Sequence, residues 1–146
     1  MTIYFYSPHE FYGEFSNFAP YGIEVDGAYF PTVEHYFQAQ KFIGTEQSDR
    51  VWRARSPKEA ARLGRDRSVP IRADWEDVKR DIMHAGVLAK FRRHEVIRDL
   101  LFATGDEDIV ENSPGDRVWG CGPDGSGENA LGQILVRVRA ELRDAT

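Results

Sequence analysis

Glu34, His35, Gln38 and Lys41 fall close together in the run Pro31–Lys41, which reads P-T-V-E-H-Y-F-Q-A-Q-K. Each is a polar residue type that can serve chemistry, Glu34, His35 and Lys41 by moving a proton and Gln38 by hydrogen bonding. At 3.6 residues per turn, Glu34, Gln38 and Lys41 (spacing i, i+4, i+7) share one helix face, and His35 lies about 100° round from Glu34. A carboxylate and an amine on one face suit acid–base or nucleophilic work. The same spacing also describes an ordinary exposed Glu–Lys stripe. Tyr36, Phe37 and Phe42 weigh against that reading, because a helix so aromatic is buried on most sides, and a charged pair there needs partners or a ligand.

The helix holding these residues is predicted over Thr32–Phe42. Pro31 and Thr32 open it, the threonine hydroxyl capping free N–H groups, and Gly44 stops it. Before it, Ile3–Tyr6 reads as a short strand, Phe15-Ser16-Asn17-Phe18 as a loop, and Tyr21–Phe30 as a hairpin turning at Asp26-Gly27. After it come helices over Glu46–Ala54 and from Ser56-Pro57-Lys58-Glu59, a capping box with proline at the first helical position. Asp74 is placed to cap a long helix through Val78, Ile82, Leu88 and Phe91. A further helix is expected over Glu95–Ala103, a strand over Ile109–Glu111, a glycine-rich loop over Gly115–Asn129, and a last helix over Ala130–Leu142. The expected fold is α+β: a single, mainly helical domain over 1–146 with a small antiparallel sheet.

A length of 146 residues, with 41% hydrophobic and 29% charged residues, suits one self-sufficient globular domain. No apolar run approaches the ~20 residues that cross a bilayer, and the N-terminus lacks the pattern of a secretion signal. One cysteine, Cys121, excludes an internal disulfide, so a cytoplasmic location is expected. The net charge of −5 is unevenly spread. Arg50, Arg53, Arg55, Lys58, Arg62, Arg65, Arg67 and Arg72 face only Glu59 and Asp66 in their stretch, which is +6 locally and −11 elsewhere. Arginine forks suit phosphate. The stretch is either a polyanion-binding surface or a solvated face neutralised in space.

Other chemistries are absent. His9, His35, His84 and His94 lack zinc-site spacing, and there is neither a P-loop nor a strand–G-x-G-x-x-G–helix unit. No cofactor or metal is called for. Cys121 has no evident base nearby in sequence to make it a nucleophile.

Five blocks in order resemble the NADAR (YbiA-like) family: Phe15-Ser16-Asn17-Phe18, then Pro31–Lys41, then Ala61-Arg62-Leu63-Gly64-Arg65 running on to Arg72 and Trp75. Val110-Glu111 with Trp119-Gly120 follow, and last Gly127-Glu128-Asn129-Ala130-Leu131-Gly132. The resemblance covers about Tyr4 to Arg139. It implies a small α+β hydrolase of N-glycosidic bonds between ribose and a base. Two substrate classes go with the family: phosphoribosylamino-pyrimidine intermediates of riboflavin synthesis, and ADP-ribose on guanine in nucleic acid, left there by a cognate ADP-ribosylating toxin. A non-catalytic module binding ADP-ribose or a nucleotide is the alternative.

Breaking a C1′–N bond builds positive charge on the ribose and negative charge on the leaving nitrogen. Glu34 is the expected catalytic carboxylate. Lys41 is a proton donor, an amine nucleophile forming a Schiff base, or simply the ion partner of Glu34. Matching to the family blocks makes Asn17, His35, Gln38, Arg65, Glu111, Trp119 and Asn129 candidates for substrate binding, with Arg65 on phosphate and Trp119 stacked on the base. Each has a plainer reading: a loop-shaping Asn17, a Gln38 satisfying backbone, a surface-paired Arg65, a core Trp119. The chain departs from the family pattern at Val33 and at Cys121, which stands in the W-G-x-G block where members can carry an acid. If that acid is needed, Asp116, Asp124 or Glu111 must replace it.

Overall fold

A computed structural model describes residues 1–145 and divides the chain into two compact units. The first comprises Met1–Ala19 and the chain from Phe91 onward; the second is Pro20–Lys90.

In the second unit, strands β1 to β4 being numbered along the whole chain, β2 (Ile23–Val25) and β3 (Ala28–Phe30) pair antiparallel, with Val25 opposite Ala28. Asp26 (φ 52°) and Gly27 (φ 82°) both take positive φ, the turn that matches strand twist. Helix α1 (Val33–Lys41) follows, and the Thr32 hydroxyl caps it by accepting from the His35 N–H. Helix α2 (Glu46–Trp52) ends two residues before the predicted Ala54, whose carbonyl accepts from His35 Nε2 at 2.9 Å. Helix α3 (Pro57–Gly64) begins as its capping box dictates, the Ser56 hydroxyl accepting from the Glu59 N–H. Helix α4 (Trp75–Arg93) starts beside Asp74, whose carboxylate binds the Arg72 guanidinium twice. Phe30 packs edge-on against Tyr36 and tilted against Trp52, while Phe37 meets Trp75 with ring centres 4.9 Å apart. A side chain at Gly86 would lie 2.7 Å from the Tyr36 ring, so that glycine admits α1 against α4.

In the first unit, β1 (Ile3–Phe5) and β4 (Ile109–Glu111) pair in parallel, Ile3 opposite Ile109 and Phe5 opposite Glu111. The α+β class stands, and the hairpin is its antiparallel sheet. The parallel pair has no local signal, since its partners, such as Ile3 and Ile109, are far apart in the chain. Helices α5 (Glu95–Ala103) and α6 (Ala130–Asp144) complete this unit, with Ile97, Leu101, Leu131, Leu135 and Val138 buried. Phe15 lies edge-on to both Phe5 and Phe91. Arg139, itself buried, donates to the Thr104 hydroxyl and the Glu107 carbonyl, fixing the turn into β4. Among the described residues, no helix is long and apolar enough to cross a membrane.

Candidate active site

The Glu34 face of α1 is built into packing. Glu34 is 8% exposed and Lys41 half-buried. Gln38 Nε2 donates to Glu34 Oε2 at 3.0 Å, which suits an ionised carboxylate. Gln38 Oε1 is buried without a hydrogen-bond partner and lies against Gly64, where a Cβ would come within 2.1 Å of it. Lys41 Nζ donates to the Gly64 carbonyl at 2.7 Å, at the C-terminal end of α3, where the helix favours a cation. Gly64 therefore seats both Gln38 and Lys41. Sequence reading assigned it no role. Its backbone takes no positive φ, so close approach is the reason the structure gives for a glycine there, and the sequence carried no signal of it.

Burial lowers the Lys41 pKa below the usual lysine range; the Glu34 carboxylate opposes that shift, Arg67 adds to it, and Glu76 and Lys79 act in opposite senses. His35, 1% exposed, uses both ring nitrogens inside the protein. Nε2 donates to the Ala54 carbonyl, which can only accept, so Nδ1 accepts from the Thr32 hydroxyl at 2.8 Å. Burial is the larger influence and lowers its pKa, keeping the ring neutral.

Arg65 follows α3 and is exposed. In the basic stretch Arg50 pairs with Glu46, Arg62 with Glu59 and Arg72 with Asp74. Arg53, Arg55, Lys58, Arg65 and Arg67 have no acidic side chain within ion-pair distance among the described residues. Spatial neutralisation therefore reaches three of the eight cations and leaves five open.

The remaining candidates stand in the first unit. Asn17 is buried just beyond a 3-10 turn (Gly13–Phe15), with Ser16 Oγ accepting from the Phe18 N–H. Glu111, Trp119 and Asn129 are far apart in sequence but joined by short links. Cys121 N–H donates to the Glu111 carbonyl at 2.9 Å, and Leu131 N–H to the Trp119 carbonyl at 3.1 Å. The Asn129 side chain binds β4 directly: Oδ1 accepts from Glu111 N–H and Nδ2 donates to the Ile109 carbonyl. Glu111 Oε2 lies over Gly120, where a Cβ would be 2.8 Å away.

The two aspartates considered as substitutes for the missing acid are occupied in turns. Asp116 Oδ1 accepts from the N–H groups of Val118 and Trp119, and Asp124 Oδ1 from Ser126. Cys121 is buried, its sulfur directed at Asn112 Oδ1 and the Gly122 carbonyl. No His, Cys, Asp and Glu cluster able to hold a metal occurs among the described residues.

A helical frame with two two-stranded sheets, and a Glu–Gln–Lys file on a buried helix, define a small α+β protein with an acid–amine centre. The chain belongs to the NADAR domain family, whose model matches residues 4–143. It is 50% identical to an N-glycosidase of Nostoc punctiforme, over 99% of this chain and 94% of that protein. It is 48% identical to the N-glycosidase YbiA of Escherichia coli, over 96% of this chain and 88% of that one. The NMR structure of E. coli YbiA matches at a TM-score of 0.92 with 46% identity, covering 99% of this chain and 86% of that one. A riboflavin biosynthesis protein of Vibrio vulnificus is 42% identical over 97% of this chain, which spans 39% of that protein.

Proposed function

We propose that this chain cleaves the C1′–N bond of a ribose N-glycoside through Glu34 and Lys41. The enzyme class, an N-glycosyl hydrolase, is that of relatives matching nearly end to end. The observation that carries the residue assignment is the shared seat at Gly64, which holds Gln38 beside Glu34 and ties down the Lys41 amine.

In this reading the Glu34 carboxylate faces the positive charge that grows on the ribose, and Gln38 keeps it oriented. Lys41 protonates the leaving nitrogen while water adds to C1′, or as a free amine it forms a Schiff base at C1′ as the C1′–N bond breaks. In the second case its two protons pass to O4′ and the departing nitrogen, and water then hydrolyses the Schiff base to release the sugar. The lowered pKa of Lys41 supports either role, since both require a proton held less tightly than in ordinary lysine. Borohydride trapping separates them: a reduced adduct on Lys41 during turnover marks the nucleophile, and turnover without an adduct marks the acid.

Two substrates remain. The name of the V. vulnificus relative favours a phosphoribosylamino-pyrimidine of riboflavin synthesis. The five uncompensated cations at Arg53, Arg55, Lys58, Arg65 and Arg67 favour a substrate with several phosphates, such as ADP-ribose on guanine in DNA, with its toxin as counterpart. The test is release of free base or free ADP-ribose when the protein meets each substrate. Binding of both without turnover of either sinks the proposal.

A further inference from the structure

Asn129 stands at the entrance of α6 with φ 53° and ψ 45°, a left-handed conformation that asparagine, aspartate and glycine adopt far more readily than other residues. The side chain makes no helix-capping bond. Its amide turns instead to β4, Oδ1 accepting from Glu111 N–H at 2.9 Å and Nδ2 donating to the Ile109 carbonyl at 2.9 Å. It thus gives β4 the acceptor and donor that a neighbouring strand would give.

Gly132 makes this possible. A Cβ there would stand 2.0 Å from the Ile109 carbonyl oxygen and 2.4 Å from Asn129 Nδ2. The α6 backbone and the strand come too close for any side chain. Glu111 is held on its other backbone atom as well, since its carbonyl accepts from the Cys121 N–H. One amide therefore closes a clamp on the residue whose carboxylate lies over Gly120.

We infer that Asn129 is a positioning residue: its amide fixes the strand segment bearing Glu111, and so the place of the Glu111 carboxylate, without touching substrate. The inference rests on Glu111 being a substrate-binding residue, as its place in the family blocks implies. It differs from direct binding by Asn129, because an Asn129 that touches substrate would act with or without Glu111.

The experiment is a double-mutant cycle on whichever ribose N-glycoside the protein turns over. Asn129→Gly removes the amide yet tolerates the backbone angle, and Asn129→Asp keeps the acceptor for Glu111 while losing the donor to Ile109. Asn129→Gly is expected to lower kcat about tenfold with KM little changed, and Asn129→Asp, which sets a carboxylate oxygen against the Ile109 carbonyl, to lower it at least as far. In a Glu111→Gln background, Asn129→Gly should cost less than about twofold more. An equal loss in both backgrounds, or a raised KM at constant kcat, overturns the positioning role. If Glu111→Gln alone changes neither constant, the assignment of Glu111 fails and the inference with it. Should the Asn129 variants not fold, hydrogen exchange of the Glu111 amide in the unaltered protein decides whether the clamp exists: protection is expected, and exchange at loop rates overturns it.

Discussion

The two units gather polar residues in opposite ways. In Pro20–Lys90, Glu34, Gln38 and Lys41 are neighbours because one helix repeats every 3.6 residues, and α3 only has to offer Gly64 as a seat. In the other unit Glu111 and Asn129 meet because one side-chain amide binds backbone 18 positions away, while the Trp119 carbonyl is held by the Leu131 N–H. The first arrangement is set by periodicity and should tolerate loop changes. The second is set by individual hydrogen bonds and should fail at single points.

The largest expected effect lies on the helical side. Glu34→Gln should lower kcat at least about 100-fold in single-turnover assays while leaving the fold intact. An unchanged rate would remove Glu34 from catalysis and leave the comparison without its first member.

Glycine replacements sharpen the contrast next. Gly132→Ala pushes a methyl into the Ile109 backbone carbonyl, which cannot swing aside, and should cost about 3 kcal/mol or more by denaturant unfolding. Gly64→Ala meets the end of the Gln38 side chain, which can move, so a loss of about 1–2 kcal/mol is expected. Its activity should fall further than its stability suggests, because Gln38 would leave Glu34. Gly115→Ala, with open space around it, is the neutral control. Equal losses at Gly64 and Gly132 would erase the distinction between a side-chain seat and a backbone seat.

A pH experiment probes the entrance of α1. The folded pKa of His35 lies below its ordinary value, so the unfolded chain binds the extra proton first as pH falls. Stability should therefore decline as pH drops below about 6.5 and level off once the lowered folded pKa is passed. Lost with it is the neutral-ring arrangement linking Thr32 to Ala54. His35→Gln should flatten that slope in a series of thermal melts. A slope that survives the substitution would place its origin elsewhere.

The smallest effects belong to the open cations. Arg65→Ala and Arg67→Ala should raise KM for a phosphate-bearing substrate about two- to fivefold and weaken its salt dependence. Arg62→Ala should change KM less, since Glu59 already engages that guanidinium. The reverse ranking would take the phosphate contact away from Arg65.

Much of the fold was legible in advance because its signals are local. Thr32, Ser56-Pro57, Asp26-Gly27 and Gly44 act through the backbone next to them, and the elements appear where these residues direct. The Glu34–Gln38–Lys41 face was legible for the same reason. The use of His35 was not, because its partner Ala54 carbonyl belongs to a turn 19 residues on. The bonds of the Asn129 side chain to the β4 backbone were not legible either, because nothing in its sequence neighbours points there.

Sequence by itself determined the helix that bears the acid and the amine, the caps and turns around it, and the excess of arginine between Arg50 and Arg72. Tertiary structure alone decided which cations stay uncompensated, that Gly64 seats Gln38 and Lys41, and that Asn129 clamps Glu111. The physical reason is range. Helix periodicity and capping act within a few residues, whereas ion pairing, close glycine approach and a parallel strand pair depend on which distant segments meet.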